Sequence, residues 1–287
     1  MKEQFEFRIT AIQLVGVLIF AGLVLRLLNL EIIGLWMDEI HSVVGTDPDK
    51  TVAEVIEYCK TDQPPLFFLL LHGWFKIFPY SDLSGRILAT LTGLLGILAM
   101  YHLGKEYKNY KVGVVAAFLT TINYFHVDHS RQIRFYPLVF LFSALSYYFF
   151  IRILKRKKLA DFIFYILATS ALVNTHYFGM VVFASQFILF IGILIWKKIK
   201  DVRFISSCLL SGVVIGLSFL HWLPVVLADL EIDQFHVAPL KWYFPIEYFV
   251  IYFRDYVSVI ICGVLGFLGL RQIFRYAKSE SLQIQDV

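Results

Sequence analysis

The sequence predicts an all-α polytopic membrane protein with about eight transmembrane helices and juxtamembrane helices in the first outer loop. Three observations lead there. Hydrophobic residues fill 59% of the 287 positions and charged residues only 17%, with a mean hydropathy of +0.70, well outside the soluble globular range. Apolar runs recur near the roughly 20-residue length that a bilayer demands. Lysine and arginine gather in the connections on one side of those runs, as a cytoplasmic face requires.

The predicted spans are 9–28, 84–104, 112–126, 135–151, 161–177, 178–196, 204–228 and 246–270. The first run is too long for a signal peptide, ends in "VLRLLNLEIIG" and lacks a small-residue cleavage site, so it is read as a retained anchor. The segment "PPLFFLLLHGWFKIF" (64–78) decides the orientation of everything after it. If it does not cross, 17 of the 26 Lys and Arg but 7 of the 22 Asp and Glu share one side with the N-terminus, in accord with the positive-inside rule. It is also short for a span, and is read as an amphipathic helix at the outer surface. Residues 29–83 then form the first outer loop and 271–287 a cytoplasmic tail. No internal repeat divides the chain, so 1–287 is taken as one membrane domain.

The outer face is acidic and carries most of the histidines. Three cysteines, Cys59, Cys208 and Cys262, lie far apart without CxxC spacing, which gives neither a disulfide framework nor a zinc motif. The basic residues sit in membrane-flanking connections, and no nucleic-acid partner is expected.

Candidate chemistry concentrates in four outer stretches. In "WMDEIHS", Asp38 and Glu39 are adjacent and point about 100° apart on a helix, so one is expected to do chemistry while the other supports it. A partly desolvated carboxylate can take a proton from an attacking hydroxyl; the bland reading is an acidic turn in a solvated loop. In "SDLSGRILATLTG", Arg86 either snorkels to headgroups or holds a phosphate. "FHVDHSRQIRFY" packs His126, Asp128, His129, Arg131, Arg134 and Tyr136 into eleven residues. Imidazole and carboxylate at His126, Asp128 and His129 suit a divalent ion, although the spacing fits no specific metal motif. Arg131 and Arg134 at a helix start look more like a phosphate site. His176 and Tyr177 in "NTHYFG" serve a turn or line a sugar site. His72, Trp74, His221, Trp222, Lys241 and Trp242 have sufficient structural explanations as interfacial anchors.

Taken in order, these stretches resemble the membrane core of the GT-C glycosyltransferases, and within them the dolichyl-phosphate-mannose protein mannosyltransferase and aminoarabinose transferase superfamily, over roughly residues 9–230. The resemblance implies a first outer loop with an Asp-Glu pair followed by surface helices, and transfer of a sugar from a polyprenyl phosphate to a hydroxyl acceptor at the outer surface, with inversion. It implies Asp38 as base and Arg86 as a contact to the lipid phosphate. The family stretch often reading "SQEARMY" is here "SRQIRFY", with Gln132 where Glu is frequent. The expected roles are Asp38 as base, Glu39 and His176 as orienters, and Arg86 with Arg134 as phosphate clamp, with Arg131, Tyr136 and Tyr177 as further donor-binding residues. The sequence establishes no cofactor, and a divalent cation remains a candidate. The expected partners are the polyprenyl-phosphate sugar, an acceptor glycan, lipid or protein, and membrane lipid. A prokaryotic cell membrane with an extracytoplasmic site is the expected location. A noncatalytic membrane subunit, an inactive truncated homologue and, less favoured, a lipid-linked-sugar transporter are the alternatives.

Overall fold

The computed structural model describes residues 10–230 except 31, 33 and 62, and isolated helical positions from 247 to 271. The chain divides into two units, Met1–Asp233 and Gln234–Val287, and every helix named below belongs to the first. The predicted span 246–270, the segment 231–245 with Lys241 and Trp242, and the tail lie outside the described residues apart from those isolated positions.

Among the described residues up to 230, twelve α-helices follow in order: α1 Ala11–Leu27, α2 Met37–Gly45, α3 Val52–Cys59, α4 Leu66–Ile77, α5 Asp82–Tyr107, α6 Tyr110–Ile122, α7 Tyr124–His129, α8 Tyr136–Arg156, α9 Leu159–Val173, α10 Phe178–Trp196, α11 Val202–Phe219 and α12 Leu223–Leu230, with a 3₁₀ turn Leu220–Trp222 before the last. No strand occurs among the described residues. Among the described residues, four helical stretches are long and apolar enough to cross a membrane: Asp82–Tyr107, Tyr136–Arg156, Phe178–Trp196 and Val202–Ala228. Helices α1, α6 and α9 are apolar but shorter, at 17, 13 and 15 residues. The described residues therefore supply four full-length spans where apolar runs predict seven, the eighth predicted span, 246–270, lying outside them.

Caps explain the shorter helices. The predicted span 112–126 is interrupted because Asn123 leaves helical geometry at φ −63°, ψ 117° and its side chain accepts from the His126 N–H at 2.8 Å, so one residue ends α6 and starts α7. Asn109 caps the other end of α6. Helix α5 starts on Ser81, whose side chain accepts from Ser84 N–H. Its 26 residues reach about 39 Å at 1.5 Å per residue. Helix α8 carries Pro137 in its first turn and ends at Lys157 in the left-handed region, which turns the chain directly into α9.

Helix α4 has 12 residues, about 18 Å long and too short to cross. Phe67, Phe68, Leu71, His72 and Phe75 are buried along one side at helical spacing, and the Leu66 N–H donates to Asn174 O at 3.0 Å. That buried side joins the main core with Ile133, Phe135, Leu138, Phe150, Phe162 and Trp222. A second core of Val15, Ile97, Tyr101 and Ala117 ties α1, α5 and α6 together. Helices α5 and α6 approach at Gly104 and Gly113: a Cβ on Gly113 would lie 2.5 Å from Tyr101 O. Small residues permit this closeness, a common basis of helix pairing in membranes.

Candidate active site

Helix α2, the start of α5 and the segment 128–136 converge at one end of the helices. Glu39 is the organising residue. It is 1% exposed; its Oε1 accepts from the Ile133 N–H at 2.9 Å and its Oε2 lies 3.4 Å from Arg86 Nη2. Arg86, 3% exposed, also donates from Nη1 to Leu30 O at 2.6 Å and from Nη2 to Gly34 O at 3.3 Å. One buried carboxylate thus joins α2, the first loop, α5 and the 130s segment. Breaking such a pair leaves an uncompensated buried charge.

Asp38 turns elsewhere, as adjacent helical positions must. Its side chain is 43% exposed and its Oδ2 lies 3.8 Å from Arg134 Nη2. Arg134 also donates to Asp38 O and to Ser42 Oγ, each at 3.2 Å, so it grips the first turns of α2. Beside this junction opens a cleft of about 430 Å³ lined by Leu30, Gly34, Trp36, Glu39, Arg86, Asp128, His129, Arg131, Gln132 and Tyr136. That volume falls within the range of small-ligand sites. Arg131 donates from Nη2 to Leu28 O at 2.6 Å, while its Nε is buried without a hydrogen-bond partner among the described residues.

Of the predicted site residues, Glu39, Arg86, Arg131, Tyr136, Asp128 and His129 share this cleft; Asp38, Arg134, His176 and Tyr177 are not part of its lining. Arg134 and Asp38 are bound to each other on its α2 side. His176 accepts from the Phe178 N–H at 3.0 Å and packs against Phe135, with ring centroids 4.3 Å apart. Tyr177 O–H accepts from Trp222 Nε1 at 3.2 Å. The turn at 174–178 is thus tied into the aromatic core.

His126, Asp128 and His129 do not converge as metal ligands. His126 Nδ1 faces Arg26 Nη2 at 2.6 Å, whereas His129 Nδ1 is 2.9 Å from Phe125 O. Among the described residues no group of three or more His, Cys, Asp or Glu is arranged to hold a metal. Burial and then the Arg26 guanidinium hold His126 down at a pKa of about 3, so its ring is neutral and Nδ1 accepts. Burial likewise lowers His129. Its Nδ1–H therefore donates to Phe125 O, and a neutral imidazole keeps its other nitrogen as an acceptor.

Arg26 is the residue that pattern reading missed. It is fully buried near the end of α1, bonded to Gly22 O at 2.9 Å and to His126, and Ser130 Oγ bonds back to His126 O at 2.5 Å. This chain of contacts fixes the 130s segment onto α1. A charge within an apolar run was the available signal.

A family model described as dolichyl-phosphate-mannose-protein mannosyltransferase matches residues 62–226, more than half of the chain. The matched stretch includes Arg86, Arg131 and Arg134 but begins after Asp38 and Glu39. No curated protein matches the chain.

Proposed function

Since the chain belongs to the dolichyl-phosphate-mannose-protein mannosyltransferase family, a family of membrane glycosyltransferases, we propose that it moves a sugar from a polyprenyl-phosphate donor to an acceptor hydroxyl, with inversion at the anomeric carbon. The observation that carries this reading is the shared cleft, where Arg86 and Arg131 meet carboxylates and aromatic rings at one end of the membrane helices.

Arg86 and Arg131, both in the cleft lining, hold the donor phosphate. Guanidinium groups suit phosphate oxygens and stabilise the charge that grows as the glycosidic C–O bond breaks. The departing lipid phosphate is a good leaving group and needs no strong acid. On the other side of the anomeric carbon, the acceptor oxygen attacks and its proton passes to a carboxylate. Asp38 is assigned this role because its side chain is half-exposed, whereas both oxygens of Glu39 are engaged. Arg134 aligns α2 by gripping Asp38 and Ser42. The long apolar tail of the donor stays in lipid.

Asp38→Asn keeps the shape and removes the base. Purified protein in detergent, given a radiolabelled polyprenyl-phosphate mannose and an acceptor, is expected to lose about 10²- to 10⁴-fold in transfer rate. Undiminished turnover by this variant rejects Asp38 as base.

A further inference from the structure

From the side chains on the α7 side of the cleft we infer that Asp128, held by Gln132, hydrogen-bonds the hydroxyls of the donor's sugar and so distinguishes a glycosyl phosphate from a bare phosphate ester. The inference rests on the reading of the cleft as a donor site, and deepens it.

The two walls of the cleft differ in chemistry. Arg86 is joined to Glu39 on one wall, and Glu39 spends its oxygens on Arg86, Ile133 N–H and, at 3.4 Å, Trp36 N–H. Glu39 is left with little capacity for a ligand. Asp128 is the other carboxylate of the lining, and its side chain is 39% exposed. Gln132, one turn further on, donates from Nε2 to Asp128 Oδ2 at 3.1 Å, which fixes the carboxylate's rotamer and leaves Oδ1 without a partner among the described residues. A carboxylate only accepts, and the hydroxyls of a sugar are donors arrayed at the spacing it can bridge.

Its neighbours fit the same ligand. His129 stacks on Phe125 with centroids 3.9 Å apart and meets Tyr136 edge-on at 4.7 Å, so the wall pairs an acceptor with rigid ring faces. With Nδ1 committed to Phe125 O, the other His129 nitrogen accepts a second hydroxyl. Apolar ring surface with few convergent polar groups is how small-ligand sites fix orientation. Gln132, itself in the lining, positions Asp128 through its Nε2.

The test compares binding of short-chain polyprenyl phosphodiesters in detergent: mannosyl, glucosyl and galactosyl esters against the ethyl ester, which carries the same single charge without a sugar. Wild-type protein is expected to bind at least one sugar ester roughly 10- to 100-fold more tightly than the ethyl ester, the scale of a charge-assisted hydrogen bond. Asp128→Ala should lose that preference while holding the ethyl ester at least as tightly as wild type, because a negative charge beside the phosphate is gone, and that binding also reports an intact fold. Gln132→Leu should weaken the preference with the carboxylate still present. An Asp128→Ala protein that keeps the full preference, or a wild type that binds ethyl and sugar esters alike, overturns the inference and leaves the phosphate clamp standing. Wild-type protein that binds no ester overturns the donor-site reading and this inference together.

Discussion

His126 titrates against the fold. In the native protein burial and the Arg26 guanidinium keep it neutral, with a pKa of about 3 against an ordinary 6.5. The unfolded chain binds that proton near pH 6.5 while the folded chain does not, so the stability from this site is complete above pH 6.5 and declines as pH falls toward 3. The slope approaches about 1.4 kcal/mol per pH unit for one group. Burial lowers His129 too, which adds in the same direction. Melting temperature in detergent is therefore expected to drop between pH 7 and pH 5, and His126→Gln should flatten most of that drop; an equally steep profile in the variant would remove His126 as the cause. At this scale the sequence singles out Asp38, Glu39 and Arg86 as charges beside apolar runs, and the fold pairs Glu39 with Arg86 in the cleft lining while Asp38 turns to Arg134. The Arg26–His126 contact joins residues 100 positions apart, and no local pattern encodes such a pairing. Nor does spacing reveal that Ile133 lends its backbone N–H to Glu39; that follows only once the 130s segment is folded against α2.

Helix pairing sets how firmly the cleft is held. Helix α5 carries Arg86 near its start, and its lower half is clasped to α6 through Gly104 and Gly113, where a Gly113 Cβ would meet Tyr101 O at 2.5 Å. Backbone cannot yield as a flexible side chain does, so Gly113→Ala must push the two helices apart, at a cost of about 1–3 kcal/mol for overpacking. Gly192→Ala on α10 meets nothing within 4 Å and should be neutral or slightly stabilising, since alanine is the better helix former. Thermal unfolding of the two variants under one detergent condition checks this; equal stabilities would mean that the α5–α6 contact is looser than the close approach implies. Apolar run length disclosed α5, α8 and α10 almost in full. It overran α6, because a run of hydropathy does not register Asn123 as a cap. The charge count, by contrast, read segment 64–78 as noncrossing, and the 12 residues of α4 agree in length.

Over the molecule as a whole, α5 acts as a ruler. Arg86 at the cleft and Glu106 near the far end are 20 residues apart on one helix, about 30 Å at 1.5 Å per residue, which equals the hydrocarbon thickness of a bilayer. Around Glu106 the charges are basic and paired: Arg156 at 2.5 Å, Lys155 beside it, and Lys157 with Asp201 at 2.7 Å in the next connection. The cleft thus belongs to the opposite surface from the lysine-rich pole. On the positive-inside rule we propose that this pole faces the cytoplasm and the cleft the outside. In a background with Cys59, Cys208 and Cys262 changed to alanine, a membrane-impermeant maleimide should label Asp82→Cys in intact cells but Lys108→Cys only after permeabilisation; both positions are exposed. The reverse pattern would place the cleft in the cytoplasm and remove extracytoplasmic transfer, while labelling of both in intact cells would deny that α5 crosses at all. The proposed orientation also bears on the proposed chemistry, since a polyprenyl-phosphate donor would have to present its sugar at the outer surface before Arg86 could take the phosphate.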